Sequence, residues 1–111
     1  MEDISKADKR LCRELINLSV EKEFAIGLTK FDAIIQAWKE GKHDNREGYH
    51  AVFQAVKEFD KHIARRYDNP SNSTLHFTVV ALLHDKLISV EDLQGFSEQT
   101  KSYFLRHCKD D

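Results

Sequence analysis

Five large apolar residues, Phe24, Leu28, Phe31, Ile35 and Trp38, are spaced by 4, 3, 4 and 3 positions along the chain. An α-helix gathers residues at that spacing onto one side, and the alternation of fours and threes is that of a coiled-coil seam. The helix that carries the seam is long, running from about Ser5 to Glu40. Gly27 inside it weakens a helix without ending it. In its first half Leu11, Leu15 and Leu18 follow a shifted phase. The change falls near Glu21-Lys22-Glu23, which leaves room for a stutter or a break. Gly41 suits the left-handed position that closes a helix.

Such a helix would span about 54 Å, whereas a compact domain of this size has a radius of gyration of about 13 Å. The rest of the chain cannot shield a helix that long. Either it breaks near residue 22, or its seam is covered by a second copy of the chain. A contiguous apolar patch is costly to leave in water, and a two-fold dimer is the commonest way to cover one. Phe24, Leu28, Phe31, Ile35 and Trp38 are therefore the expected dimer-interface residues.

Three further helices follow. Asp44 or Asn45 caps a second helix over about 46–67, with Tyr49, Val52, Phe53, Val56, Phe59, Ile63 and Tyr67 as its apolar stripe. Asp68-Asn69-Pro70-Ser71 reads as a turn. A third helix over about 73–85 contains Val79-Val80-Ala81-Leu82-Leu83 and is apolar nearly all round, as an enclosed helix is. Ser89 caps a fourth helix over about 90–107, with Glu91 and Asp92 in its first turn and Leu93, Phe96, Tyr103 and Phe104 as buried residues. The expected fold is all-α, a single domain over residues 1–111. One proline and four glycines agree with long regular elements.

Charge and composition exclude several roles. Net charge is -2, and residues 1–46 hold nine basic and nine acidic side chains, so neither half is a basic surface for nucleic acid. No apolar run is long enough to span a bilayer, and the polar N-terminus is unlike a signal peptide, so a cytoplasmic protein is expected. Cys12 and Cys108 are far apart in the chain and read as inert thiols. The six histidines show no HxxxH spacing and no HExxH, and no glycine-rich phosphate loop occurs. No metal, cofactor or enzymatic activity is expected. Lys57, Lys61 and Arg65 form a basic strip, best read as a solvated face near a helix C-terminus. Among the aromatic residues, Trp38 and Phe53 are expected in the core, and Phe77 is left open between core and surface.

From the second helix onward the chain resembles the cyanobacterial fluorescence recovery protein family. The likeness is carried by Ile63, Tyr67 and Asp68, by Leu75-His76-Phe77-Thr78-Val79-Val80-Ala81-Leu82-Leu83, and by Leu87-Ile88 and Glu91-Asp92-Leu93, with one inserted residue near Pro70-Ser71. It covers about half of the chain. The first helix matches in length and apolar character.

The resemblance implies a non-enzymatic helical protein. Its long first and second helices would form an antiparallel homodimer stalk, and helices three and four a head. The family binds the orange carotenoid protein and hastens its return to the dark form. Residue by residue, Phe77 falls on a phenylalanine of the family's partner-binding head. The family's lysine near the end of the fourth helix falls on Tyr103, with Lys101 two residues away. In the second helix the family's tryptophan falls on His50, beside Tyr49; its aspartate falls on Gln54 and its arginine on Asp60. An arginine replaced by an aspartate reverses the charge offered to a partner.

The expectation is a dimeric bacterial protein-binding regulator with the scaffold kept and the partner surface changed. Its alternatives are a genuine fluorescence recovery protein and a small-molecule-binding helical bundle using His76 and His84.

Overall fold

The computed structural model describes residues 4–67 and 74–108. The described residues form four α-helices: α1 over Lys6–Lys39, α2 over Asn45–Tyr67, α3 over Leu75–His84 and α4 over Glu98–His107. A 3-10 turn occupies Val90–Leu93, and no strand occurs among the described residues. No described helix is long and apolar enough to cross a membrane. The expected turn at 68–71 and the start of the third helix at Ser73 lie outside the described residues.

The chain forms two compact units, Met1–Val20 with Asn69–Asp111, and Glu21–Asp68. Both draw on α1, which runs unbroken through Glu21-Lys22-Glu23. The apolar phase shifts there, and the backbone does not. None of those three residues removes a helical hydrogen bond, so the helix continues through them.

The first unit, here the core unit, has an interior of enclosed, mainly apolar side chains. Cys12 of α1, Leu75, Val79 and Leu82 of α3, Leu93 of the 3-10 turn and Phe104 of α4 are fully buried. Phe96 meets Phe104 edge-on with ring centroids 5.2 Å apart. Of the three leucines expected to lead here, Leu15 is buried, whereas Leu18 lies exposed. Leu18 is six residues beyond Cys12, about 120° away from it around the helix, and faces water.

The expected single helix over 90–107 is two pieces. Ser89 and Asp92 form the opening box, with Ser89 N–H donating to Asp92 Oδ2 at 2.8 Å. The turn then ends at Gln94, which is extended, and Gly95, whose φ is +96°. A second cap follows at Ser97, where Thr100 N–H donates to Ser97 Oγ at 3.4 Å. Asp8 of α1 fixes that cap, accepting from Ser97 Oγ at 2.7 Å and from Ser97 N–H at 3.2 Å. Burial alone would raise the Asp8 carboxyl, but hydrogen bonds involving Thr100, Ser97 and Ser5 more than offset it and hold the group below its ordinary value.

The second unit, the hairpin unit, is an antiparallel pair made by the second half of α1 and by α2. At its turn Gly41 has φ +82°, with Gly41 N–H on Trp38 O and Lys42 N–H on Ala37 O, both at 3.0 Å. This pairing closes α1 as a Schellman motif. Asp44 and Glu47 cap α2 reciprocally, at 2.8 and 2.9 Å. Gly27 has a packing role: a Cβ there would stand 2.6 Å from the Phe59 ring. Phe59 in turn meets Phe31 edge-on at 5.8 Å.

Candidate functional site

Among its described residues the hairpin unit buries only Glu23, Gly27 and Gly48. No apolar side chain larger than glycine is fully out of water. The seam residues Phe24, Leu28, Ile35 and Trp38 are exposed, Leu28 at 66%, and Phe31 is half-buried. On α2, Tyr49 is 75% exposed and Phe53 50%. The core placement expected for Trp38 and Phe53 is therefore corrected. Two helices cannot enclose a large side chain: Trp38 lies against Gly48 of α2 with its outer side in water, and Phe53 is half in solvent.

These residues line two depressions on the hairpin. One, near the turn, has Ile35, Trp38, Gly48, Tyr49 and Val52 around it, with Asn45 accepting a hydrogen bond from Trp38 Nε1 at 2.8 Å. The other is a groove of Phe24, Leu28, Phe31, Val56, Phe59 and Ile63 in which Asp60 is the lone charged group. Of the second-helix candidates, Tyr49 and Asp60 thus border apolar surface. His50 is exposed and Gln54 half-exposed.

In the core unit a second surface forms where α3 meets α4. Phe77 is 58% exposed. The His76 ring centroid lies 4.1 Å from that of Phe77 and 5.4 Å from that of Tyr103, and His107 lies 4.2 Å from Tyr103. Phe77 and Tyr103 are thus joined into one aromatic patch through His76. Lys101 is half-buried and two residues before Tyr103, about 160° around α4 from it, so it stands apart from the patch. His84 is exposed at the end of α3, eight residues from His76.

One constellation escaped the sequence reading. Glu23, 5% exposed, is the buried anchor between α1 and α2. Its Oε1 accepts from His62 Nε2 at 2.6 Å. Its Oε2 accepts from Arg66 Nη1 at 3.2 Å and from the Tyr67 hydroxyl. An ionised carboxylate only accepts, so His62 carries its proton on Nε2. Burial would raise the Glu23 carboxyl. Hydrogen bonds from Tyr67 and His62 and the Arg66 charge more than offset it, so the net shift is downward. Burial first, and then the bond to Glu23, push the Tyr67 phenol up. The signal in the sequence was the i, i+4, i+5 spacing of His62, Arg66 and Tyr67, three donors that reach one point across a helix pair.

Cys12 is wholly enclosed, and burial, with Asp8 nearby, pushes its thiol up to about 12, which leaves it protonated and unreactive at neutral pH. Comparison of the chain with protein-family models, with characterised proteins and with solved structures gives no match.

Proposed function

We propose that this chain is a non-enzymatic, homodimeric regulator that binds another protein, a divergent relative of the fluorescence recovery proteins with an altered partner surface. The observation that carries the reading is the hairpin unit, where eight large apolar residues are exposed and none is fully buried. A helix pair in that state gains most from association, because each large side chain removed from water contributes about 1.5–3 kcal/mol. The reading is of an antiparallel stalk built by α1 and α2 from two copies. The α3–α4 surface around Phe77 and Tyr103 remains free for the partner protein. Clustered aromatic residues are the usual centres of such contacts.

The first test is the mass in solution. Sedimentation equilibrium at micromolar concentration should give a dimer, and a monomer would overturn the reading. The second is capture of the partner from the native host, repeated with Phe77→Asp. That variant should stay dimeric and lose the partner; capture of the same proteins by both forms would remove the α3–α4 surface from the reading.

A narrower reading, in which the partner is the orange carotenoid protein itself, is favoured by the exposure of Phe77, which falls on the family's partner-binding phenylalanine. It is opposed by Asp60, which stands in the hairpin groove where the family has arginine. Its test is the dark reversion rate of the purified carotenoid protein with and without this chain.

A further inference from the structure

The exposed apolar face of the hairpin is flanked by charges of opposite sign on its two helices. On α1, Glu21 lies three residues before Phe24, and Asp32 lies four after Leu28 and three before Ile35, so both stand beside the seam. On α2, Arg46 lies three before Tyr49 and Lys57 four after Phe53, whereas Lys61, four beyond Lys57, has turned further from the groove. All five are exposed. The outer edge of the face is therefore acidic along α1 and basic along α2, with Lys39 at the turn as the exception on α1. Asp60, the acid on this side of α2, lies in the groove with Phe24 and Leu28 rather than on the outer edge.

Two copies can cover each other's apolar face in two ways. If α1 lies against α1 of the other copy, acidic edges meet acidic edges and basic meet basic. If α1 lies against α2 of the other copy, each acidic edge meets a basic one, twice over by symmetry. Like charges brought together across an interface disfavour one arrangement, and opposite charges favour the other. We infer that a second copy of this chain covers the hairpin face with α1 of each protomer packed against α2 of its partner, the orientation selected by the Glu21 and Asp32 edge meeting the Arg46 and Lys57 edge. This deepens the proposed homodimer and rests on it.

The arrangement is tested by reversing the edges in the full chain. One variant carries Glu21→Lys and Asp32→Lys, and the other carries Arg46→Glu and Lys57→Glu. All four positions are exposed, so both variants should keep the helical content of the parent by circular dichroism. At low ionic strength each variant alone should dimerise about ten-fold or more weakly than the parent, because four contacts turn repulsive at once. High salt should shrink the difference. Mixed together, the two variants should form a heterodimer about as tight as the parent dimer, seen by native mass spectrometry. If the variants alone dimerise as tightly as the parent, the arrangement is overturned, since like edges already face each other in the alternative, while the homodimer stands. If the parent itself is monomeric, the homodimer reading fails, and this inference with it.

Discussion

The core unit and the hairpin unit are both built from helices and hold them together by opposite means. In the core unit three helices and a 3-10 turn surround a point, and Leu75, Val79, Leu82, Leu93 and Phe104 reach zero exposure. In the hairpin unit two helices meet along one line, and the side chain at that line that leaves water is a carboxylate, Glu23. Geometry explains the contrast. Three elements can enclose a side chain, whereas two leave half of each helix surface outside, however apolar it is. The core unit therefore encloses its large apolar side chains, and the hairpin leaves its own in water.

The largest expected effect follows from this contrast. Phe104→Ala should destabilise the core unit by about 3–5 kcal/mol, because a fully enclosed aromatic leaves a cavity. Leu28→Ala, at 66% exposure, should cost the isolated chain little and weaken association instead. Urea unfolding over a range of protein concentrations separates the two: the Phe104 loss should be independent of concentration, and the Leu28 loss should appear only where the parent is associated. An equal, concentration-independent loss for both would break the distinction between the units.

Next in size is the carboxylate cluster. Glu23→Ala strands Arg66, His62 and Tyr67 around an empty site, and breaking a buried ion pair by removing one partner costs about 3–5 kcal/mol in enclosed cases. With His62 partly exposed, about 2–4 kcal/mol is expected, scaled from that range. Replacing both sides, Glu23→Leu with Arg66→Met, should recover most of it, because the desolvation of two charges is removed as well. A double-mutant cycle on unfolding free energy measures the coupling. Additivity of the two changes would mean that Glu23 and Arg66 do not stabilise each other in the hairpin.

How far the sequence disclosed this follows the same division. The seam spacing, Gly41 as the end of α1, Asp44 at the head of α2 and Ser89 as a cap were legible because each rests on a local rule of spacing or backbone conformation. Leu93, Phe96 and Phe104 were legible as core for the same reason, whereas Tyr103, expected among them, is half-buried. The interruption at 94–97 was missed because Ser89 already supplied a good start, and the second cap at Ser97 gains its hold from Asp8, 89 residues away. The Glu23 cluster was missed because a single glutamate in a charged stretch reads as surface, and its three donors lie 39 to 44 residues later in the chain. Periodicity marked Trp38 and Phe53 as apolar-face residues correctly. It could not say how many neighbours that face would have.

Acid should act on both units through depressed carboxyls, Asp8 in the core unit and Glu23 in the hairpin unit. Each has a folded value below its ordinary one, 3.8 for Asp8 and 4.5 for Glu23. The unfolded chain therefore takes up protons first as pH falls. The stability these groups contribute is fully present above about pH 5 and is lost as pH drops through the ordinary values toward the depressed ones. Asp8→Asn should lower stability at neutral pH and make the acid limb shallower, and Glu23→Gln should do the same. Following amide signals of the two units separately by NMR during acid titration should show each substitution flattening the limb of its own unit. A limb unchanged in both variants would assign the acid sensitivity to surface carboxylates.

The smallest effect separates the two helix ends that close in the same way. Gly41 ends α1 and Lys86 ends α3 in one motif: Lys86 has φ 63°, with its N–H on Leu83 O at 3.1 Å and Leu87 N–H on Leu82 O at 3.0 Å. A side chain at such a position costs about 1–2 kcal/mol, which glycine avoids. Glycine also enlarges the freedom of the unfolded chain, which takes back part of the gain. Lys86→Gly should therefore stabilise the chain by about 0.5–1 kcal/mol, a net of those two terms. Gly41→Ala should destabilise by a similar amount, for conformational reasons alone, since no atom stands within 4 Å of where its Cβ would be. Thermal unfolding of the two variants would show shifts of opposite sign. A loss of stability in Lys86→Gly would mean that the lysine side chain contributes more to the end of α3 than its backbone strain takes away.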